Sequence, residues 1–144
     1  MGFFSNKIKS VIKTGQQVQK RNVLEAIIAA ALLVAASDGD IDKGEVNVLK
    51  ELLANNDALK AFKRKEIDDI VERYTNILIA GFRVGKVKLL REIEDVANDD
   101  NDAEEVFATA ITIAEADGDI SEKELGVLRE IGTKLSQRLS DFGL

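Results

Sequence analysis

Two short stretches of this chain collect carboxylates at spacings that could bind a hard cation. The first, residues 36–51, reads Ala-Ser-Asp-Gly-Asp-Ile-Asp-Lys-Gly-Glu-Val-Asn-Val-Leu-Lys-Glu and holds Asp38, Asp40, Asp42 and Glu45. The second lies 79 residues later, reads Glu-Ala-Asp-Gly-Asp-Ile-Ser-Glu-Lys-Glu-Leu-Gly-Val-Leu-Arg-Glu, and holds Asp117, Asp119 and Glu124. Carboxylates this close on a tight loop repel one another unless a cation or backbone N–H groups offset the charge. With oxygen as the only donor on offer, the cation expected is Ca²⁺, Mg²⁺ or Mn²⁺. The candidate ligands are Asp38, Asp40, Asp42, Glu45, Asp117, Asp119 and Glu124.

The Asp-x-Asp-x-Asp run at 38, 40 and 42 invites comparison with the EF-hand, and the comparison fails. That loop needs Gly at its sixth position and a bidentate Glu at its twelfth. Here those positions hold Lys43 and Leu49, and in the second copy Glu122 and Leu128. What remains is Asp-Gly-Asp-Ile-x-x-x-Glu, two turn aspartates followed by a carboxylate in the first turn of a helix. A purely structural account competes with ligation. Asp42 and Ser121 suit an N-cap with Glu45 and Glu124 three residues on, and Asp38 and Asp117 suit a turn. Asp40 and Asp119 are the two that capping does not require.

The elements that position these loops follow from local signals. Asp-Gly at 38–39 and 117–118 marks a turn, because glycine accepts positive φ. Ile41 with Val46, and Ile120 with Leu125, sit where a hydrophobic staple would close the helix start. Each copy therefore reads as helix, acidic loop, helix, and upstream residues Glu25, Ala29, Ala31 and Ala35 recur in register as Glu104, Ala108, Ala110 and Ala114. Neither hairpin can bury its apolar faces alone, so the two are expected to pack together with the other helices around them.

Composition narrows the chemistry further. The chain has 144 residues, 45% of them apolar, with no proline, cysteine or histidine. It is the size of one domain with a real core, and apolar residues recur at three- and four-residue spacing, so the expected class is all-α. Missing Cys and His remove disulfides, thiolate nucleophiles, the usual zinc sites and the commonest general base. The chain is expected not to be an enzyme. A carboxylate–Mg²⁺ hydrolase built on Glu92, Glu94 and Asp95 is disfavoured, because no phosphate-binding Gly-Lys loop accompanies them.

Charge is uneven. Lys7, Lys9, Lys13, Lys20 and Arg21 precede the first acid, and removing these five leaves 15 basic residues against 26 acids, a net of −11 for the remainder. Such a body should repel nucleic acid, and none is expected as a partner. Residues 3–21 form a separate basic arm, with Phe4, Ile8, Val11, Ile12 and Val18 on one side of an expected helix and Lys7, Lys9, Lys13 and Gln17 towards the other. Two readings of it stay open: a first helix packed on the domain, or peripheral docking to an anionic membrane surface. No long apolar region follows the lysines, so a secretory signal is not expected, and Asn6 stands where myristoylation wants Ser or Thr.

Along the domain, residues 22–144, Asn22 and Glu25 read as a capping box opening a helix through Ala36. Its uncharged run is too short to span a bilayer and is expected to be a buried central helix. Further helices are expected after the first acidic loop, over a short piece at 58–62, at 65–79 and at 87–97. Gly81 and Gly85 bracket a break. Asp102 with Glu105 opens the helix leading into the second loop, and the last helix runs over 121–139. The acidic run 98–102 is excluded from the second site, since about 15 helical residues, roughly 22 Å, separate them.

Ala36-Ser37-Asp38-Gly39 with Glu45, Asp117-Gly118 with Glu124, the opening Gly2-Phe3-Phe4 with its basic helix, and the closing Phe142-Gly143-Leu144 together resemble the bacterial tellurite-resistance TerB family. The resemblance covers nearly the whole chain. It implies about seven helices, an acidic face proposed to bind metal, and a cytoplasmic role in stress response beside membrane-bound and other proteins of a tellurite-resistance assembly. The positions it carries over are Asp38, Glu45, Asp117 and Glu124. Direct reduction of tellurite is not expected of a chain without Cys, and an oxyanion would be repelled by the acidic body. The expected function is a divalent-metal-binding adaptor or sensor, cytoplasmic and peripheral at the inner membrane face where the arm docks. The alternative is a metal-independent interaction scaffold.

Overall fold

The structure, a computed structural model, describes residues 17–116 and 118–144. The expected arm before Gln17 and the candidate ligand Asp117 lie outside the described residues. The described residues contain six α-helices and no strand: α1 (Arg21–Ala35), α2 (Lys43–Ala54), α3 (Arg64–Ala80), α4 (Phe82–Glu94), α5 (Asp100–Ala116) and α6 (Glu122–Leu135). Two 3₁₀ turns, Asp57–Leu59 and Leu139–Phe142, join and close the set. The all-α expectation holds, with one helix fewer in view than the seven expected.

The centre of the molecule is α1. Eleven of its 15 residues are buried, and it packs against each of the other five helices, most extensively α4 and α5. It can do so because Ala26, Ala29, Ala30 and Ala31 keep its surface narrow between the larger Leu24, Ile27, Ile28, Leu32 and Leu33, and small side chains let helix axes approach closely. Burying each of those Leu and Ile side chains is worth roughly 1.5–3 kcal/mol. The ion pairs around them lie at the surface, where each is worth about 0–1 kcal/mol, so the apolar centre dominates.

The start of α1 corrects the expected capping box. Asn22 is inside the helix, whose N-cap is Lys20 with no side-chain cap. Glu25 instead turns to cations, pairing with Arg73 of α3 at 2.9 Å and Arg21 at 3.7 Å. Before it, residues 17–20 are not helical. Val18 is buried, its N–H donating to Ala58 O at 2.8 Å, and Lys20 pairs with Asp102 at 2.9 Å.

Gly85 corrects the expected break. It lies inside α4, and a Cβ there would meet Ile77 O at 2.8 Å, so the glycine marks close approach of α4 to the backbone of α3. The chain turns at Gly81 alone. The start of α5 differs too, because Asp99 rather than Asp102 caps it, its Oδ1 accepting from Asp102 N at 3.0 Å. The last helix stops at Leu135 rather than 139. Ser136 takes the left-handed conformation and Gln137 N donates to Gly132 O, which ends the helix and turns the tail back. Phe142 is then buried edge-on against Phe107 of α5, with ring centroids 5.3 Å apart.

Candidate functional site

The two helical hairpins meet through their inner helices, α1 against α5, while their outer helices α2 and α6 do not pack extensively on each other. A cleft of about 340 Å³ lies at this junction. Its floor is apolar and built largely of small residues, Ala31 and Ala35 of α1 with Ala110 and Ala114 of α5, which leave the space that larger side chains would fill. Its polar edge includes Asp38 and Glu45 from the first loop and helix start, and Ser121, Lys123 and Glu124 from the second. Ala31/Ala110, Ala35/Ala114 and Glu45/Glu124 are related by the 79-residue offset in sequence, so both acidic segments contribute corresponding positions to one cavity.

Each loop is shaped by its own hydrogen bonds. In the first, Gly39 has φ +85° and donates to Ala36 O at 2.9 Å, the conformation expected of Asp-Gly. Asp38 Oδ1 accepts from Asp40 N at 3.1 Å, and Asp40 Oδ1 accepts from Ile41 N at 2.9 Å. Asp42 is the N-cap of α2, its Oδ1 accepting from Gly44 N at 2.6 Å and Glu45 N at 3.2 Å. In the second, Gly118 has φ +125°. Ser121 and Glu124 form the reciprocal capping box: Glu124 N donates to Ser121 Oγ at 3.2 Å and Ser121 N donates to Glu124 Oε1 at 2.8 Å. Ile41 and Ile120 are half-buried against the core.

The seven predicted ligands therefore divide. Asp38, Glu45 and Glu124 border the cleft. Asp40, Asp42 and Asp119 are exposed on the loops and are not among the residues lining it. Asp117 lies outside the described residues. Among the described residues, no three acidic side chains are gathered closely enough to hold a metal ion. The oxygen donors at the cleft edge, carboxylates and a hydroxyl, are of the kind a hard divalent cation takes, and the Lys123 ammonium stands among them. Sequence reasoning found the acids but missed Lys123, the basic group among them, and the alanine floor. The floor had a signal, since its four alanines recur at the offset that relates the loops.

The remaining acids are placed apart from the cleft. Glu92 on α4 has its pKa raised, first by burial, then by the nearby charges of Glu25 and Asp95. Glu105 is likewise raised by burial and by Asp102. Glu94 and Asp95 are exposed at the end of α4. No helix among the described residues is long and apolar enough to cross a membrane.

Neither a curated protein nor a solved structure matches this chain. The family described as Tellurite resistance protein TerB matches residues 24–144, which takes in all six helices but for the first turn of α1, both acidic loops and the buried tail. On that match the chain belongs to the TerB family.

Proposed function

We propose that this protein is a non-catalytic adaptor or sensor in a tellurite-resistance and stress-response system, and that it responds to a hard divalent cation at its acidic loops. The observation that carries this reading is the shared cleft, where Asp38 and Glu45 of one loop and Glu124 of the other border a single cavity. In this reading Asp38, Glu45, Asp117 and Glu124 hold the ion, with Asp40, Asp42 and Asp119 adding negative charge around it. The bound cation supplies the positive charge that offsets like-charge repulsion between the loops. Because the two loops belong to different hairpins, binding would tie the hairpins together and change the surface offered to a partner protein of the same assembly. Of the basic arm, residues 3–21, the part before Gln17 is assigned peripheral contact with the inner face of the cytoplasmic membrane, because Val18, Lys20 and Arg21 are held on the domain.

Calorimetric titration with Ca²⁺, Mg²⁺ and Mn²⁺ tests the cation, alongside thermal melting with and without each. At a hundredfold excess over Kd, binding adds about 2.7 kcal/mol, on the order of 10 °C in Tm for a domain this size. Glu45→Gln with Glu124→Gln should abolish the increment. It should leave the apo protein within roughly 0.5 kcal/mol of wild type, because glutamine still offers an oxygen to the Ser121 N–H. An increment that survives both this pair and Asp38→Asn with Asp117→Asn would remove the ion from these loops. The second reading, a metal-independent scaffold, draws on the capping already done by Asp42, Ser121 and Glu124. It predicts no heat of binding with any of the three cations.

A further inference from the structure

The cleft between the hairpins keeps apolar surface open. Val48 on its α2 wall is 47% exposed, and Leu52 and the floor residues Ala35 and Ala114 are only half-buried. At about 340 Å³ the cleft falls within the roughly 300–1,000 Å³ of pockets that bury a ligand. Around it acids outnumber bases, since residues 38–45 and 117–124 each hold four acids and one lysine. An occupant that suits both the floor and the edge is apolar on one side and cationic beside it.

The chain itself carries such a segment. Phe4, Ile8 and Val11 stand at i, i+4 and i+7, the spacing by which a helix anchors in a groove, and residues 1–16 hold Lys7, Lys9 and Lys13 and no acid. At 100° per residue, Lys7 and Lys9 flank that stripe on opposite sides. The acids of the cleft edge also come from two sides, Asp38 and Glu45 from the first hairpin and Glu124 from the second. The tether leads to the right place as well. Residues 17–20 enter the domain beside α1, α5 and the turn after α2: Val18 N donates to Ala58 O at 2.8 Å, and Gln17 and Val18 line a small pocket with Val23 of α1 and Glu105 of α5. The cleft lies farther along the same elements. At 1.5 Å per residue, Val23 to Val34 on α1 and Glu105 to Ile113 on α5 put it about 12–16 Å from that entry point.

We propose that residues 3–13 dock in this cleft within the same molecule, Phe4 and Ile8 against the alanine floor and Lys7 and Lys9 at the acidic edges. A helix running back from Gln16 sets Ile8 and Phe4 about 12 and 18 Å away, level with the cleft. The lysine stems lie along the apolar walls while their ammonium groups reach the carboxylates. A short tether holds the segment at an effective concentration on the order of millimolar, so weak intrinsic affinity is enough. The docked segment brings the cleft the positive charge that a cation would otherwise supply, and it hides the stripe that would face a membrane. Docking therefore competes with both, but it goes beyond the proposed function and needs neither.

The chain has no cysteine, so Ser10→Cys gives the full-length protein a single attachment point for a nitroxide, on the side of the segment away from its apolar stripe. With a chelator present and no lipid, the nitroxide should strongly broaden the amide NMR signals of Val48, Leu49 and Ala114. It should have little effect on Val84, which is exposed on α4 and does not line the cleft. Ile8→Asp, and Lys7→Glu with Lys9→Glu, should each remove most of the broadening at the cleft, and unchanged signals from Phe107 and Phe142 would show that the domain stays folded. The proposal is overturned if the broadening is even over the surface, if it centres away from the cleft, or if the charge-reversed variant keeps it. Isotope-labelled chains without nitroxide, mixed with unlabelled chains that carry it, should show no broadening at the cleft. Broadening there would mean that a second copy's segment fills the cleft, which overturns docking within one molecule. Because no cation or lipid is present, a negative result leaves the proposed function standing, and a negative cation titration leaves the docking standing.

Discussion

At the scale of single residues, the informative groups are the buried polar ones that lack partners. Tyr74 is 1% exposed and, among the described residues, its hydroxyl has no hydrogen-bond partner of good geometry, while the Arg73 guanidinium lies over the ring at 5.1 Å from its centroid and acts against the effect of burial. Burial pushes its pKa up to about 12. Thr75 Oγ1 is also buried and unpartnered among the described residues, whereas Thr112 and Thr133 donate to the carbonyls four residues back, as a helical threonine can. Removing an unsatisfied hydroxyl removes its desolvation cost. Tyr74→Phe and Thr75→Val should each leave stability unchanged or raise it by up to about 1 kcal/mol, read by urea denaturation followed by circular dichroism. A loss beyond about 1 kcal/mol in either would mean that the hydroxyl has a partner after all. Glu92 gives a pH prediction of definite sign. Its folded pKa is raised above the ordinary 4.5, chiefly by burial, so the native state binds its proton more tightly than the unfolded chain does. Its contribution to stability is therefore present below the ordinary pKa and is lost as pH rises through the raised one. Glu92→Gln should raise Tm at neutral pH and flatten that part of the pH profile.

At the scale of elements, two glycines on helices make opposite predictions. A Cβ at Gly85 would meet the backbone of α3 at 2.8 Å, and one at Gly126 on α6 would meet nothing within 4 Å. Gly85→Ala should therefore cost about 1–3 kcal/mol by forcing α4 away from α3. Gly126→Ala should add roughly 0.5–1 kcal/mol through helix propensity alone. Denaturant midpoints for the two variants check both signs. The same pair shows what the sequence could and could not reveal. Helix periodicity and the Asp-Gly turns were legible, and the inward set Ile67, Ile70, Val71, Tyr74 and Leu78 is buried as its spacing predicts. A glycine needed for close approach looks the same in sequence as one that ends a helix, because the difference lies in a neighbour distant in the fold. Asn22 with Glu25 misled for a related reason, since the local cap competes with Arg73 on α3 and the ion pair formed instead. In the candidate site, the acids could be read from the loops. The cavity could not, because it depends on how α1 and α5 pack.

At the scale of the whole molecule, the arrangement around α1 determines how the fold comes apart. Since α1 packs against all five other helices, no hairpin owns a core of its own, and neither acidic-loop hairpin can leave without exposing part of α1. The tail is tied in as well, through Phe142 against Phe107, and residues 17–20 through Val18 and the Lys20–Asp102 pair. Unfolding should then be one cooperative transition, as expected of a single domain under about 150 residues. The chain offers two independent probes. Far-ultraviolet circular dichroism follows all the helices, and the one tyrosine of a tryptophan-free chain follows the α3 side of the core. The two urea curves should superimpose, with the same midpoint and slope. Val18→Ala should move both midpoints down together by an amount worth roughly 1–2 kcal/mol, because it removes buried methyl groups where the chain enters the domain. If the helical signal fell before the tyrosine signal, the hairpins would be separate cooperative units. A cation bridging the two loops would then act by joining them rather than by stabilising a body already whole.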